Sequence, residues 1–165
     1  MAMDGKALAD EIRSAMEFPA PTSEQLISWA SSVVGEVQMG IATFGAIPSP
    51  HPISGLVGPR LAAAIAKAAK YPSVSPELIK YCTALTTYIM ASAFVTYVGP
   101  PPAPLVPEVG FRLGGTISGM AGPAMAASIA SAVPYPGVSP ELIKKCGAIV
   151  DHIQGNAEVE DGVIS

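Results

Sequence analysis

The stretch ISGMAGPAMAASIASAVPYPGVSPELIKKCGAIVDHI, residues 117–153, overlays without a gap on ISGLVGPRLAAAIAKAAKYPSVSPELIKYCTALTTYI, residues 53–89, and the two agree at about 22 of 37 positions. A fainter copy opens the chain. There Leu8, Ile12 and Ala15 precede Phe18-Pro19, and after one extra residue Ser23, Leu26, Ile27, Ala30, Val33 and Val37 fall where Ser75, Leu78, Ile79, Cys82, Leu85 and Ile89 fall. The chain therefore reads as three copies of one supersecondary unit. A divergent first unit covers residues 4–47 and a second covers 53–98; a Pro/Gly-rich linker over 99–116 leads to a third over 117–165, which ends in an acidic strand or tail.

Helix and turn chemistry accounts for the repeated letters. Gly58-Pro59 opens a short helix, because proline is favoured at the first helical position, where its missing N–H is not needed. Leu61 and Ile65, like Met125 and Ile129, then recur at helical spacing among alanines, which keep helix propensity high and let a partner helix approach closely. Tyr71-Pro72 and Tyr135-Pro136 end these helices, since the residue before a proline is pushed out of the α region. Ser75-Pro76-Glu77 and Ser139-Pro140-Glu141 start the next ones with an N-cap, a proline and an acid at the positive helix end. Along the second helix Leu78, Cys82, Leu85 and Ile89 mark the buried stripe, matched by Leu142, Cys146, Ile149 and Ile153 and by Leu26, Ala30, Val33 and Val37.

Beyond that helix the β-branched and aromatic run at residues 93–98 reads as a short strand, aligned with 41–47 and 157–164. The expected fold is mainly α with short strands, an α+β arrangement of three helix-turn-helix-strand units. Proline clusters at residues 48–52 and 99–108 read as stiff polyproline II spacers; a ligand segment for an aromatic groove is the less economical reading.

Composition points to assembly. Charged residues make up 13% of the chain, against roughly 25% in ordinary domains, and mean hydropathy is +0.43. A chain so poor in charge hides surface against neighbours or lipid. The net charge of −4, with no basic cluster, argues against direct contact with nucleic acid. Residues 81–98 and 113–140 carry no charge and are long enough for membrane spans, but the first is rich in Thr, Ser and Tyr and the second is broken by glycine and proline. A membrane role is the alternative rather than the expectation. The acidic N-terminal segment has no secretory pattern, and Cys82 and Cys146 lie on the apolar stripe as small hydrophobes, which suits a reducing compartment.

No catalytic constellation stands out. Cys82, Cys146, His51 and His152 lack metal-ligand spacing, the glycine-rich segments lack the Gly-Lys-Ser/Thr of a phosphate loop, and no serine is tied to a histidine. His152 reads as a polar-face residue near the negative end of its helix, and Glu158, Glu160 and Asp161 as a solvated or partner-facing edge. The expectation is a protein without catalytic, cofactor or metal residues. Its interface candidates are the turn residues Tyr71, Pro72, Tyr135 and Pro136 and the strand residues Phe94, Val95, Tyr97, Val159 and Val163, the strands offering unpaired edges to another subunit.

The segment CGAIVDHIQGNAEV, residues 146–159, resembles a pattern of small structural proteins of tailed bacteriophages, in which an Ala/Ile-rich helix ends in AIV-x-H/Y-I-x-x-N-A-x-V and leads into an extended tail. In the second copy Ser92-Ala93 stands in for Asn156-Ala157. The resemblance implies a minor capsid, decoration or head–tail protein, assembled in the host cytoplasm into a virion. It implies binding to itself and to neighbouring shell proteins by packing, and it carries over no functional residue. A small cytosolic ligand-binding module, its site formed between copies, is a further alternative.

Overall fold

Six helices and six short strands alternate along the chain in a computed structural model that describes residues 2–42, 51–98 and 114–165. The helices are α1 (Gly5–Ala15), α2 (Glu24–Gln38), α3 (Gly58–Ala68), α4 (Pro76–Ser92), α5 (Gly122–Ala132) and α6 (Pro140–Asn156). The strands are β1 (Ile41–Ala42), β2 (His51–Ser54), β3 (Phe94–Val98), β4 (Gly114–Ser118), β5 (Glu158–Glu160) and β6 (Val163–Ile164). The mixed helix-and-strand class expected from the sequence is observed. Among the described residues no helix is long and apolar enough to cross a membrane.

Each helical pair is a tight hairpin whose second helix starts as its residues dictate. The hydroxyls of Ser23, Ser75 and Ser139 accept from the N–H groups of Leu26, Leu78 and Leu142, each at 3.2 Å. Ser75→Ala and Ser139→Ala should each cost about 1 kcal/mol in chemical denaturation, the usual worth of an N-cap. A cost near zero would show that the proline at the first helical position holds the turn by itself.

The strands depart from expectation in an instructive way. They do not leave open edges: β1 to β6 pair antiparallel in sequence order, and β6 returns to β1 through Ile41 and Val163, closing a barrel. Closure satisfies the backbone groups that an open strand would offer to a partner, so the strand-sharing mechanism expected for residues 94–98 and 159–164 is replaced by intrachain pairing. Two further boundaries move. His51 and Pro52, assigned to a spacer, lie in β2, and the end of the expected 99–116 linker, from Gly114 on, lies in β4. The stretch taken as one strand at 157–164 is a hairpin, with Asp161 and Gly162 at positive φ between β5 and β6. The expected strand at 43–47, the spacer at 48–50 and the segment 99–113 lie outside the described residues.

One face of each strand points inward. Ala42, Ile53, Val95, Ile117, Val159 and Ile164 are buried and alternate with more exposed neighbours, as a small barrel requires. Their cluster is continuous with the helical core, where Leu8, Ile12, Leu61, Ile65, Met125 and Ile129 meet Val33, Leu85, Ile89, Ile149 and Ile153. The helices also neighbour one another in a ring, α1 against α2, α2 against α3 and so on to α6, which packs on α1. Since α3 and α5 run away from the strands that precede them and α2, α4 and α6 run back into the barrel, all three helix–helix turns lie at the end opposite it.

Candidate functional site

At that helical end the three turns present Phe18-Pro19, Tyr71-Pro72 and Tyr135-Pro136, which the sequence overlay aligns. Phe18, Tyr71 and Tyr135 are 46%, 48% and 44% exposed, and all three prolines are exposed. Large aromatic rings held in water at three aligned positions are the most evident uncovered apolar feature of the helical tier.

Between the turns, α2, α4 and α6 bring together Trp29, Tyr81 and Lys145, one from each hairpin and again aligned by the overlay. Trp29 and Tyr81 meet edge to face with centroids 6.4 Å apart. Lys145 Nζ sits 3.7 Å from the Trp29 centroid and 5.5 Å from that of Tyr81. It has no carboxylate partner among the described residues. Beside it, a cleft of about 430 Å³ opens, lined by Met16, Tyr81, Tyr135, Leu142 and Lys145 with Glu141 exposed at its rim. The Tyr81 hydroxyl is buried without a hydrogen-bond partner among the described residues.

Burial lowers the Lys145 ammonium to about 8, against an ordinary 10.5. The ring faces oppose this, but a cation–π contact worth about 0.5–2 kcal/mol recovers only part of the lost hydration. Burial likewise raises the Tyr81 phenol and pushes the Cys82 and Cys146 thiols up to about 12, so both cysteines are inert, fully buried hydrophobes, as their place on the stripe suggested. A stability consequence follows for Lys145. Between about 8 and 10.5 the unfolded chain holds this proton and the folded chain does not, so stability rises with pH through that window. Lys145→Met should remove that rise and increase the melting temperature at neutral pH; melts across the pH range read both effects.

A second aligned set, Glu36, Tyr88 and His152, ties each hairpin to the next. Glu36 is buried and accepts from the Val57 N–H at 2.6 Å and from Arg60 Nε and Nη2 at 2.9 and 2.7 Å. It acts where a capping-box glutamate would, but from the neighbouring hairpin, since Val57 has no side-chain cap of its own to offer α3. The Tyr88 hydroxyl accepts from the Ala121 N–H at 2.9 Å at the start of α5. His152 Nε2 accepts from the Asp4 N–H at 3.3 Å, which leaves the proton on Nδ1 to be donated to Glu11 Oε1 at 3.0 Å. His152 is thus 1% exposed and joins α6 to α1, not the polar-face residue expected.

The strand candidates fare differently from the turn candidates. Val95 and Val159 point into the barrel and present no surface, because strand alternation puts them on the closed inner face. Phe94 and Tyr97 are half-buried, Tyr97 against the ring of His51 at 5.1 Å, while Val163 is 64% exposed on the outer face. Sequence reading passed over Trp29, Tyr81, Lys145 and Glu36. A signal existed: residues that precede Ala30, Cys82 and Cys146 on the stripe must meet if three copies close around an axis. Among the described residues no group of His, Cys, Asp and Glu is placed to hold a metal ion.

Comparison with family models, curated proteins and solved structures finds no match to this chain. The site is therefore read from its own chemistry.

Proposed function

We propose that the chain is a non-enzymatic structural protein of a bacteriophage virion, built from three repeated units joined in one closed ring. It binds copies of itself and neighbouring capsid or head–tail proteins through the helical end. The observation that carries this reading is the set of three exposed aromatic-proline turns, Phe18-Pro19, Tyr71-Pro72 and Tyr135-Pro136, projecting from one end of a charge-poor chain. Its rigidity is supported by the trans-hairpin bonds of Glu36, Tyr88 and His152, which hold the three turns in fixed relation at little entropic cost on binding. The resemblance of residues 146–159 to small virion proteins gives the assembly its proposed setting.

Replacing Phe18, Tyr71 and Tyr135 together by serine tests the reading. Sedimentation of the wild-type protein should show self-association, or co-sedimentation with purified particles, that the variant loses by at least about ten-fold at unchanged melting temperature. A wild-type chain that stays monomeric and is missing from particles by mass spectrometry would refute it.

A further inference from the structure

Lys145 and Tyr81 both line one cleft, and among the described residues neither the ammonium nor the buried phenol hydroxyl has an acceptor. A half-buried cation normally recruits a carboxylate, and a buried hydroxyl normally finds an acceptor, because the desolvation of either is otherwise uncompensated. The Lys145 ammonium lies 5.5 Å from the Tyr81 ring centroid, and the cleft that both residues line, about 430 Å³, is within the size range of small-molecule sites. We propose that this cleft binds a small organic monocarboxylate with an apolar body, its carboxylate accepting from Lys145 Nζ and the Tyr81 hydroxyl and its chain resting on Met16, Tyr135 and Leu142.

The surroundings narrow the class. One ammonium and one neutral donor match a single carboxylate, and Glu141 at the rim repels a second negative charge, which disfavours dicarboxylates and phosphate esters. Met16, Tyr135 and Leu142 come from α1's end, the α5–α6 turn and α6, so the ligand would bridge two hairpins. The titratable groups facing Lys145 are Tyr81 and Cys82 from α4, Tyr135 from the turn, and Glu141 and Cys146 from α6. With both thiols and the Tyr81 phenol held neutral, pH acts on the site chiefly through Lys145 itself. The proposal does not depend on the assembly reading.

Trp29, the single tryptophan, lies against Lys145 and reports on the site by its emission. Octanoate titrated into the full chain should give a saturable change, with octanamide and the dicarboxylate suberate at least about ten-fold weaker. Lys145→Met should weaken octanoate by a similar factor and Tyr81→Phe by about three-fold. Because the ammonium is needed, octanoate affinity should fall about ten-fold between pH 7 and pH 9, following a group that titrates near 8. Octanamide binding as well as octanoate, full retention in Lys145→Met, or no saturable change would each overturn the proposal. If Lys145→Met fails to fold, the comparison of acid with amide and the pH series on the wild-type chain decide alone.

Discussion

Cys82→Asp and Cys146→Asp should each cost at least about 4 kcal/mol, enough to unfold a chain of ordinary stability. Both sulfurs are fully buried on the inner stripe of α4 and α6, so a carboxylate there would be stripped of water among apolar neighbours such as Leu85 and Ile149, and the Lys145 ammonium, whose charge reaches both positions, offsets only part of that cost. The new side chain would escape part of the penalty by taking up a proton. Its pKa would therefore rise in the folded state, and the variants should be least unstable at acid pH and lose stability as pH increases. Cys82→Ala and Cys146→Ala, which delete one sulfur each, should cost about 1 kcal/mol. Urea denaturation at acid and neutral pH separates these outcomes, and an unchanged midpoint for either aspartate variant would show that the buried face of the second helices has been misassigned.

Gly58→Ala should destabilise by about 3 kcal/mol, although alanine is the better helix former. A Cβ built on Gly58 lies 2.4 Å from the Thr83 Cα, and the obstacle is backbone, so α3 and α4 would have to separate. Gly5 and Gly122, aligned with Gly58 by the overlay, meet the Ser31 Cα at 2.4 Å and the Gly147 Cα at 2.6 Å. Gly35 and Gly147 supply the control. Both lie inside helices with nothing within 4 Å of an added Cβ, so alanine there should leave stability equal or improve it by up to about 1 kcal/mol. If Gly58→Ala melted like Gly35→Ala, close approach of the two helices would not be what holds the hairpin.

The hairpins were legible because their signals are local and redundant. Ser75-Pro76-Glu77 combines a cap, a pre-set φ and a favourable charge, and the stripe from Leu78 to Ile89 repeats the same face over three turns of helix. The β5–β6 hairpin was also written plainly, as Asp161-Gly162 between alternating residues, the pair that best tolerates positive φ at both turn positions. It was missed because the acidic end drew a charge-based reading. By contrast β1 and β6 have two residues each, too few to show alternation, and nothing in either names the other as its partner.

By itself, then, the sequence determined the helical hairpins, their turns, the burial of Cys82 and Cys146 and the aromatic residues at the turns, since each depends on neighbours within a few positions along the chain. Tertiary structure alone decided that the strands close into a barrel, that Glu36, Tyr88 and His152 each cap or join the next hairpin, and that Lys145 comes to rest on Trp29 and beside Tyr81. Those outcomes depend on where separate hairpins meet. Ile41 pairs with Val163 across more than a hundred residues, and the fate of a lysine is settled by which rings and which missing carboxylates surround it after folding, quantities that no local pattern encodes.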